Sequence, residues 1–352
     1  MAGIPNYSVL KGHIANIDED RDSNPHYRIF ISDGNKTFKA AINVGSTSKV
    51  VAEKLPGIPP SFLLVLIDRD YQHPIVDTLV KLPLGFTSVD KKRDGLSLDY
   101  IRKNLFDPAD MEIVPTTKDG ENNDIFDTLS SIAEQNVNNK NVDVYVFGSK
   151  FNQGEIGIHD VHMNQGSLDK KFTKDDGIYQ DGGLFFHFKQ QDKWIAMFSA
   201  FQSQCWHTDD KTGHANGNKN CARPRTPGKI TGLELEDILE STDVRDRAVL
   251  IREAWVNPAG IEAKTEWITL FNTTDRVIDI SGWMIQDSLK RIETLQGTIQ
   301  PHTHLKVTLS GAGASLSNQG GIISLLNQSG LKVHGVAYTK EQALAADTAI
   351  IF

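Results

Sequence analysis

Apolar and polar residues alternate in short runs along the first part of the chain. Residues 7–14 and 27–32 predict strands, Asp33-Gly34 is a turn signal, and residues 37–44 complete a hairpin or meander. The apolar run 62–67 predicts a buried strand. Residues 99–104 and 123–135 read as helices, and in the second of these Ile125, Leu129 and Ile132 recur at helical spacing. Residues 142–148 return to strand. Between 212 and 228 the chain turns rich in Gly, Asn, Lys, Arg and Pro, ending Arg223-Pro224-Arg225-Thr226-Pro227-Gly228, the composition of a linker or long exposed loop. A short helix is expected at 233–239. The segments 249–254, 266–271, 277–280, 283–285, 305–309, 321–326 and 333–338 then give about seven strands in roughly 100 residues, the count and spacing of an immunoglobulin-like sandwich. The expected fold is therefore mainly β with some α. An α+β N-terminal domain (1–215) leads through a linker (216–245) to an immunoglobulin-like β-sandwich (246–352).

A length of 352 residues fits two cores rather than one. Hydrophobic residues at 39% and charged residues at 23% are those of an ordinary globular protein. Met1-Ala2-Gly3-Ile4-Pro5-Asn6 has neither a basic nor an apolar leader region, and no apolar run reaches transmembrane length. The expectation is a cytoplasmic protein, or one exported without a classical signal peptide. Net charge is −8, and the first 245 residues carry most of it, with 28 Lys and Arg against 35 Asp and Glu. Such a domain does not coat DNA non-specifically, because that affinity comes from clustered cations. A nuclease remains permitted, since metal ions can supply positive charge at the phosphate. Cys205 and Cys221 are too few for a disulfide scaffold; one loop-closing disulfide and two free thiols both stay open.

Five of the eleven histidines fall between His159 and His214. In Gly157-Ile158-His159-Asp160-Val161-His162-Met163-Asn164-Gln165-Gly166, a strand puts Asp160, His162 and Asn164 on one face, where burial without partners is costly; such a row should line a cleft or bind a metal or ligand. A helix would instead let His159 and His162 clasp one ion. In Gln180-Asp181-Gly182-Gly183-Leu184-Phe185-Phe186-His187-Phe188, His187 shares a face with Phe185 and Lys189, so it is a core residue or a ligand. The stretch from Trp194 to Asp210 begins as a buried strand and turns polar through Cys205, His207 and Asp209, and functional groups commonly sit where a strand runs into a loop.

Two resemblances follow from these residues. Glu253-Ala254-Trp255-Val256-Asn257-Pro258, Glu266-Trp267-Ile268-Thr269-Leu270-Phe271-Asn272, Ile280-Ser281-Gly282-Trp283 and Asp287 resemble a lamin-tail domain over about residues 249–338. Trp267 and Trp283 are expected to fill the core between the sheets, and Gly282 to supply a turn that a β-carbon would resist. The resemblance implies a non-catalytic adaptor, often attached in bacteria to hydrolases or nucleases, that meets a protein or a membrane surface. The histidine-bearing elements, the N-terminal strands and Leu98-Asp99-Tyr100-Ile101-Arg102-Lys103-Asn104-Leu105-Phe106-Asp107 resemble the YukJ-like family of uncharacterised bacterial proteins over about residues 5–214; that resemblance implies a domain boundary and no established activity.

The leading functional reading is a metal-assisted phosphodiesterase, a nuclease acting on nucleic acid or another phosphodiester. His162 and His207 act in catalysis with Asn164 and Gln165 orienting the scissile group, and His159, Asp160, His162, His187, His207 and Asp209 form the metal-ligand set for Mg, Mn or Zn. No His-Glu-x-x-His signature is present. A metal-free phospholipase-D-like reading is disfavoured, because the lysine two residues after each histidine is replaced by Asn164 and Asp209. The third reading is a non-catalytic binding or delivery protein whose His, Asp and Asn groups satisfy one another. Serine or cysteine catalysis, a phosphate loop and zinc-finger spacing find no pattern.

Overall fold

The computed structural model describes residues 7–20, 26–44, 63–89, 96, 98, 100, 103–107, 110–114, 120, 122–153, 155–159, 161, 182–201, 247–258, 266–345 and 348–352. The N-terminal domain contains β1 (Tyr7–Asp20), β2 (His26–Ser32), β3 (Thr37–Asn43), β4 (Leu63–Asp68), α1 (Ile75–Leu79), β5 (Gly85–Ser88), β6 (Glu112–Val114), α2 (Ile125–Ala133), β7 (Val142–Gln153), β8 (Glu155–His159), β9 (Gly183–Phe188) and β10 (Lys193–Phe201). All ten strands belong to one sheet, in the order β5-β1-β2-β3-β8-β7-β9-β10-β4-β6, and an additional β1–β7 pairing closes part of it. The closed part is a five-stranded barrel, β1-β2-β3-β8-β7-β1. Its one parallel pair joins β3 to β8, and α2 lies in the chain between β3 and β7. That connectivity is the OB-fold's, with residues 63–114 inserted before the helix and β9 and β10 appended after the last barrel strand.

Local chemistry explains how the barrel closes. β1 serves three neighbours, β5 and β7 along its first half through Ser8–Lys11 and Tyr7–Gly12, and β2 through His13–Asp20, and it bends at a register shift between Ile14 and Asn16. Gly12 permits the approach, since a β-carbon there would stand 2.3 Å from the Ser32 carbonyl oxygen. The β2–β3 turn forms at the expected Asp33-Gly34, with Asp33 Oδ1 accepting from the Asn35 and Lys36 amides. α2 begins at Asp124, whose carboxylate accepts from the Asp127 amide while Asp127 accepts from the Asp124 amide. Its buried face, Ile125, Phe126, Leu129 and Ile132, joins Ile29, Ile31, Ala40, Ile42, Val144 and Val146 in the barrel core.

The extension of the sheet carries a second apolar layer, where Tyr145, Phe147, Phe185, Trp194 and Phe198 pack against Tyr71, Leu98, Tyr100 and Leu105. Tyr100, Lys103 and Asn104 are the described members of the segment expected to be helical at 99–104, and they lie in turns. Asn104 has φ +48°, a left-handed conformation that ends any helix there.

The C-terminal domain contains β11 (Val249–Trp255), β12 (Trp267–Asn272), β13 (Ile278–Asp279), β14 (Met284–Gln286), β15 (Ile292–Thr294), β16 (Thr298–Ile299), β17 (His304–Thr308), β18 (Gly321–Leu326), β19 (Lys332–Tyr338), α3 (Lys340–Leu344) and β20 (Ile350–Ile351). Sheets β17-β12-β11-β20 and β15-β14-β18-β19 enclose one core, with β13 and β16 as a separate pair. Trp283 is buried in that core and Gly282 has φ +80°, both as expected. Trp267 is not in the core. It is half-buried on the outer face, stacked on Trp255 at 5.6 Å with Lys306 Nζ 4.0 Å above its ring, because its neighbours Ile268 and Leu270 take the inward positions. Asn272, fully buried, donates to the carbonyls of Arg276 and Ile299, so this part of the lamin-tail pattern serves the fold. No helix among the described residues is long and apolar enough to cross a membrane.

Candidate functional site

On the outer face of the barrel the first residue of β2 meets the last residue of β8. His26 Nε2 lies 3.0 Å from His159 Nε2, with ring centroids 4.9 Å apart and planes tilted by 42°. His26 is 8% exposed, and Asn43 stands directly opposite it on β3. The Asn43 Oδ1 is buried and has no hydrogen-bond partner among the described residues. Without an ion, one imidazole donates to the other. With one, nitrogens 3.0 Å apart fit an ion about 2.1 Å from each at an angle of about 90°, as two neighbouring ligands of an octahedron; a tetrahedral ion needs them a few tenths of an ångström further apart. Among the described residues no group of three or more His, Cys, Asp or Glu converges on one point.

His159 thus has a histidine partner, but the partner is one that sequence reasoning missed. His26 follows Asn24-Pro25, stands alone, and lies 133 residues away from His159 in the chain. Only the parallel β3–β8 pairing brings the two together, and no local pattern announces such a pairing. Asp160, His162, Asn164, Gln165, His207 and Asp209 lie outside the described residues, as do Cys205, Cys221, the linker and the helix expected at 233–239.

His187 stands apart from the pair. It is opposite Asp143 on β7, whereas His159 is opposite Ser149. Six residues of strand separate those positions, about 20 Å, so no single ion takes both rings. His187 instead stacks on Trp194 with ring centroids 4.2 Å apart, and its Nε2 meets Asp192 at 3.1 Å. Beside it the Asp143 carboxylate accepts from Lys189 and faces Lys11 and His13. Lys11 also donates to the Val80 and Leu82 carbonyls, fixing the insertion against β1; burial pulls its ammonium below the usual lysine range, with Asp143 opposing that shift.

A cavity of about 360 Å³ separates the two domains, lined by Asp68, His73, Asp107, Arg247, Arg252 and His334 among others. Its described histidines are held by backbone. The Ile75 amide donates to His73 Nδ1, whose Nε2 donates to the Lys103 carbonyl, and burial pushes this imidazole down to about 4. The Ile251 amide donates to His334 Nδ1, which leaves the proton on Nε2, 3.6 Å from Asp107. Burial lowers His334 as well, against the pull of Asp107. Arg247 pairs with Asp107 and Asp110, and buried Asn104 donates to the Ile323 and Val336 carbonyls. These groups join the barrel to the sandwich.

Comparison with known proteins agrees with this division. Residues 1–213 match the family described as Uncharacterized conserved protein (DUF2278), and residues 245–340 match the Lamin Tail Domain. The Bacillus subtilis (strain 168) protein named Uncharacterized protein YukJ is 33% identical over 239 residues, covering 63% of this chain and 98% of that protein.

Proposed function

Because the chain belongs to the DUF2278 family, whose description carries no activity, we propose from the site's own geometry that it is a metal-assisted phosphodiesterase, a nuclease, with the ion anchored by His26 and His159. The observation that supports this is the 3.0 Å approach of the two Nε2 atoms beside an unsatisfied Asn43 oxygen. Two imidazoles favour Zn or Mn over Mg, which prefers oxygen ligands. Asp160 and His162 follow His159 in the chain and are the expected further ligands or water-activating groups. Asn164 and Gln165 are expected to orient the scissile group, with His207 and Asp209 contributing from the stretch after β10. A bound ion would neutralise the phosphate and lower the pKa of bound water, which supplies the positive charge this acidic domain lacks.

The test is elemental analysis of the purified chain, together with loss of plasmid DNA in Mn, Zn or Mg, for the wild type and for His26→Ala and His159→Ala. One ion per chain, and DNA loss abolished in both variants, supports the reading. Plasmid and single-stranded DNA both left intact under every ion overturn it. A non-catalytic binding or delivery protein is the second reading, favoured by one observation: His73 bonds backbone through both ring nitrogens and His334 through Nδ1, so these buried imidazoles hold the fold together.

A further inference from the structure

Strand register lines up one row of side chains across the outer face of the barrel. Asn16 is opposite Phe30, Phe30 opposite Lys39, Lys39 opposite Gly157, and Gly157 opposite Phe151. All five positions point away from the core, since their neighbours Ile29, Ile31, Phe38, Ala40 and Ile158 point into it. Phe30 and Phe151 are half-buried rather than sealed, and Lys39 stands between them. Gly157 is the floor of the row. A β-carbon there would lie 2.6 Å from the Phe151 ring and 2.3 Å from the Lys39 carbonyl oxygen, so the ring packs against bare backbone. The Arg28–Asp18 ion pair at 2.8 Å forms the next row, and His26, opposite Asp20 and Asn43, the one after. Four residues of β2 separate Phe30 from His26, about 13 Å along the strand.

We propose that this face is a track for single-stranded nucleic acid, with bases stacked on Phe30 and Phe151 on either side of Lys39 and the backbone running toward the His26–His159 pair. The inference rests on the phosphodiesterase reading and names its substrate as a single strand. Two outward aromatic rings flanking a cation offer π-faces that only unpaired bases can meet, and a closed barrel of this connectivity presents its second and third strands to such ligands. The face has few cations, and Arg28 is already paired with Asp18, so stacking carries more of the affinity than phosphate contacts do. The salt dependence is therefore shallow: one or two phosphate contacts give a slope of log K against log salt of about −0.7 to −1.4.

The test is fluorescence anisotropy of a labelled single-stranded DNA oligonucleotide with the full chain in EDTA, against the same sequence as duplex and against an uncharged oligosaccharide. Phe30→Ala and Phe151→Ala should each weaken single-strand binding about tenfold, with Phe30→Leu and Phe151→Leu as variants that keep the apolar contact and lose the π-face. Unchanged melting temperatures show that the variants fold. Duplex bound as tightly as single strand, indifference to all four substitutions, or oligosaccharide binding lost in their place overturns the proposal. Binding is read in EDTA and cleavage with Mn, Zn or Mg added, so single-strand binding with no cleavage under any ion sinks the phosphodiesterase reading and leaves the track standing. Metal-dependent cleavage that ignores Phe30 and Phe151 does the reverse.

Discussion

The seam between the domains and the histidine pair on the barrel hold similar residue types in opposite states. At the seam His73 has both ring nitrogens hydrogen-bonded, His334 accepts from the Ile251 amide with its Nε2 facing Asp107, Asn104 donates to two carbonyls of the sandwich, and Arg247 faces two carboxylates. At the pair the two imidazoles meet at 3.0 Å, and the neighbouring Asn43 oxygen has no hydrogen-bond partner among the described residues. A satisfied polar network rigidifies the fold, whereas a buried polar atom without a partner asks for a ligand, an ion or a water. Buried histidine alone is therefore a poor marker of function, and an unsatisfied polar atom beside it is a better one.

The largest expected effect tests the seam. His73 titrates at about 4 when folded and near 6.5 when unfolded, so both states are neutral above pH 6.5 and the full stability is present there. As pH falls below 6.5 the unfolded chain takes up the proton first, and stability is lost progressively until the folded pKa is reached. Two and a half units correspond to about 3 kcal/mol. Chemical denaturation at pH 7 and pH 4.5 should show this loss, and His73→Gln, which retains a donor, should reduce it. An equal loss in the variant would assign the pH dependence to other groups.

Asn104→Ala is expected to cost about 2 kcal/mol, because it strips the Ile323 and Val336 carbonyls of a buried donor and places alanine at a positive φ. If the seam couples the domains, the cost appears as a split of one unfolding transition into two. A single transition shifted as a whole would mean that coupling survives without Asn104.

Much of this architecture was legible in the sequence, and the exceptions share a cause. The β2–β3 hairpin, the second helix and the sandwich strands arise from contacts close in the chain, so turn residues and periodicity announce them. Closure of the barrel through Tyr7–Gly12 against β7, and the parallel β3–β8 pairing, join segments more than a hundred residues apart and leave no local trace. His26 went unnoticed for that reason, and the turn at Asn104 for a related one, since its side chain answers to the other domain. Residue type alone points Trp267 into the core, whereas alternation along β12 places Ile268 and Leu270 inward and Trp267 out. His187, core residue or ligand by sequence, stacks on Trp194 with its Nδ1 buried and without a partner among the described residues, and lies too far along β7 from His159 to share an ion with it.

The histidine pair should respond to metal where the seam does not. Zinc at about ten times its dissociation constant should stabilise the chain by about 1.4 kcal/mol, reversibly with EDTA. The shift should vanish in His26→Ala and His159→Ala and persist in Asn104→Ala. Stabilisation that survives both histidine variants would locate the ion elsewhere.

The smallest effect separates the two regions most sharply. Replacing a buried polar group that lacks a partner with an apolar one of similar shape removes a desolvation cost without breaking a hydrogen bond. Asn43→Leu should therefore be neutral or stabilise the chain by less than about 1 kcal/mol, whereas Asn104→Ala at the seam destabilises. If the Asn43 oxygen serves the ion, the same variant must also bind zinc more weakly, so that stability and metal affinity move in opposite directions. A variant that loses stability would show that Asn43 has a structural partner, and would place the histidine pair in the same class as the seam.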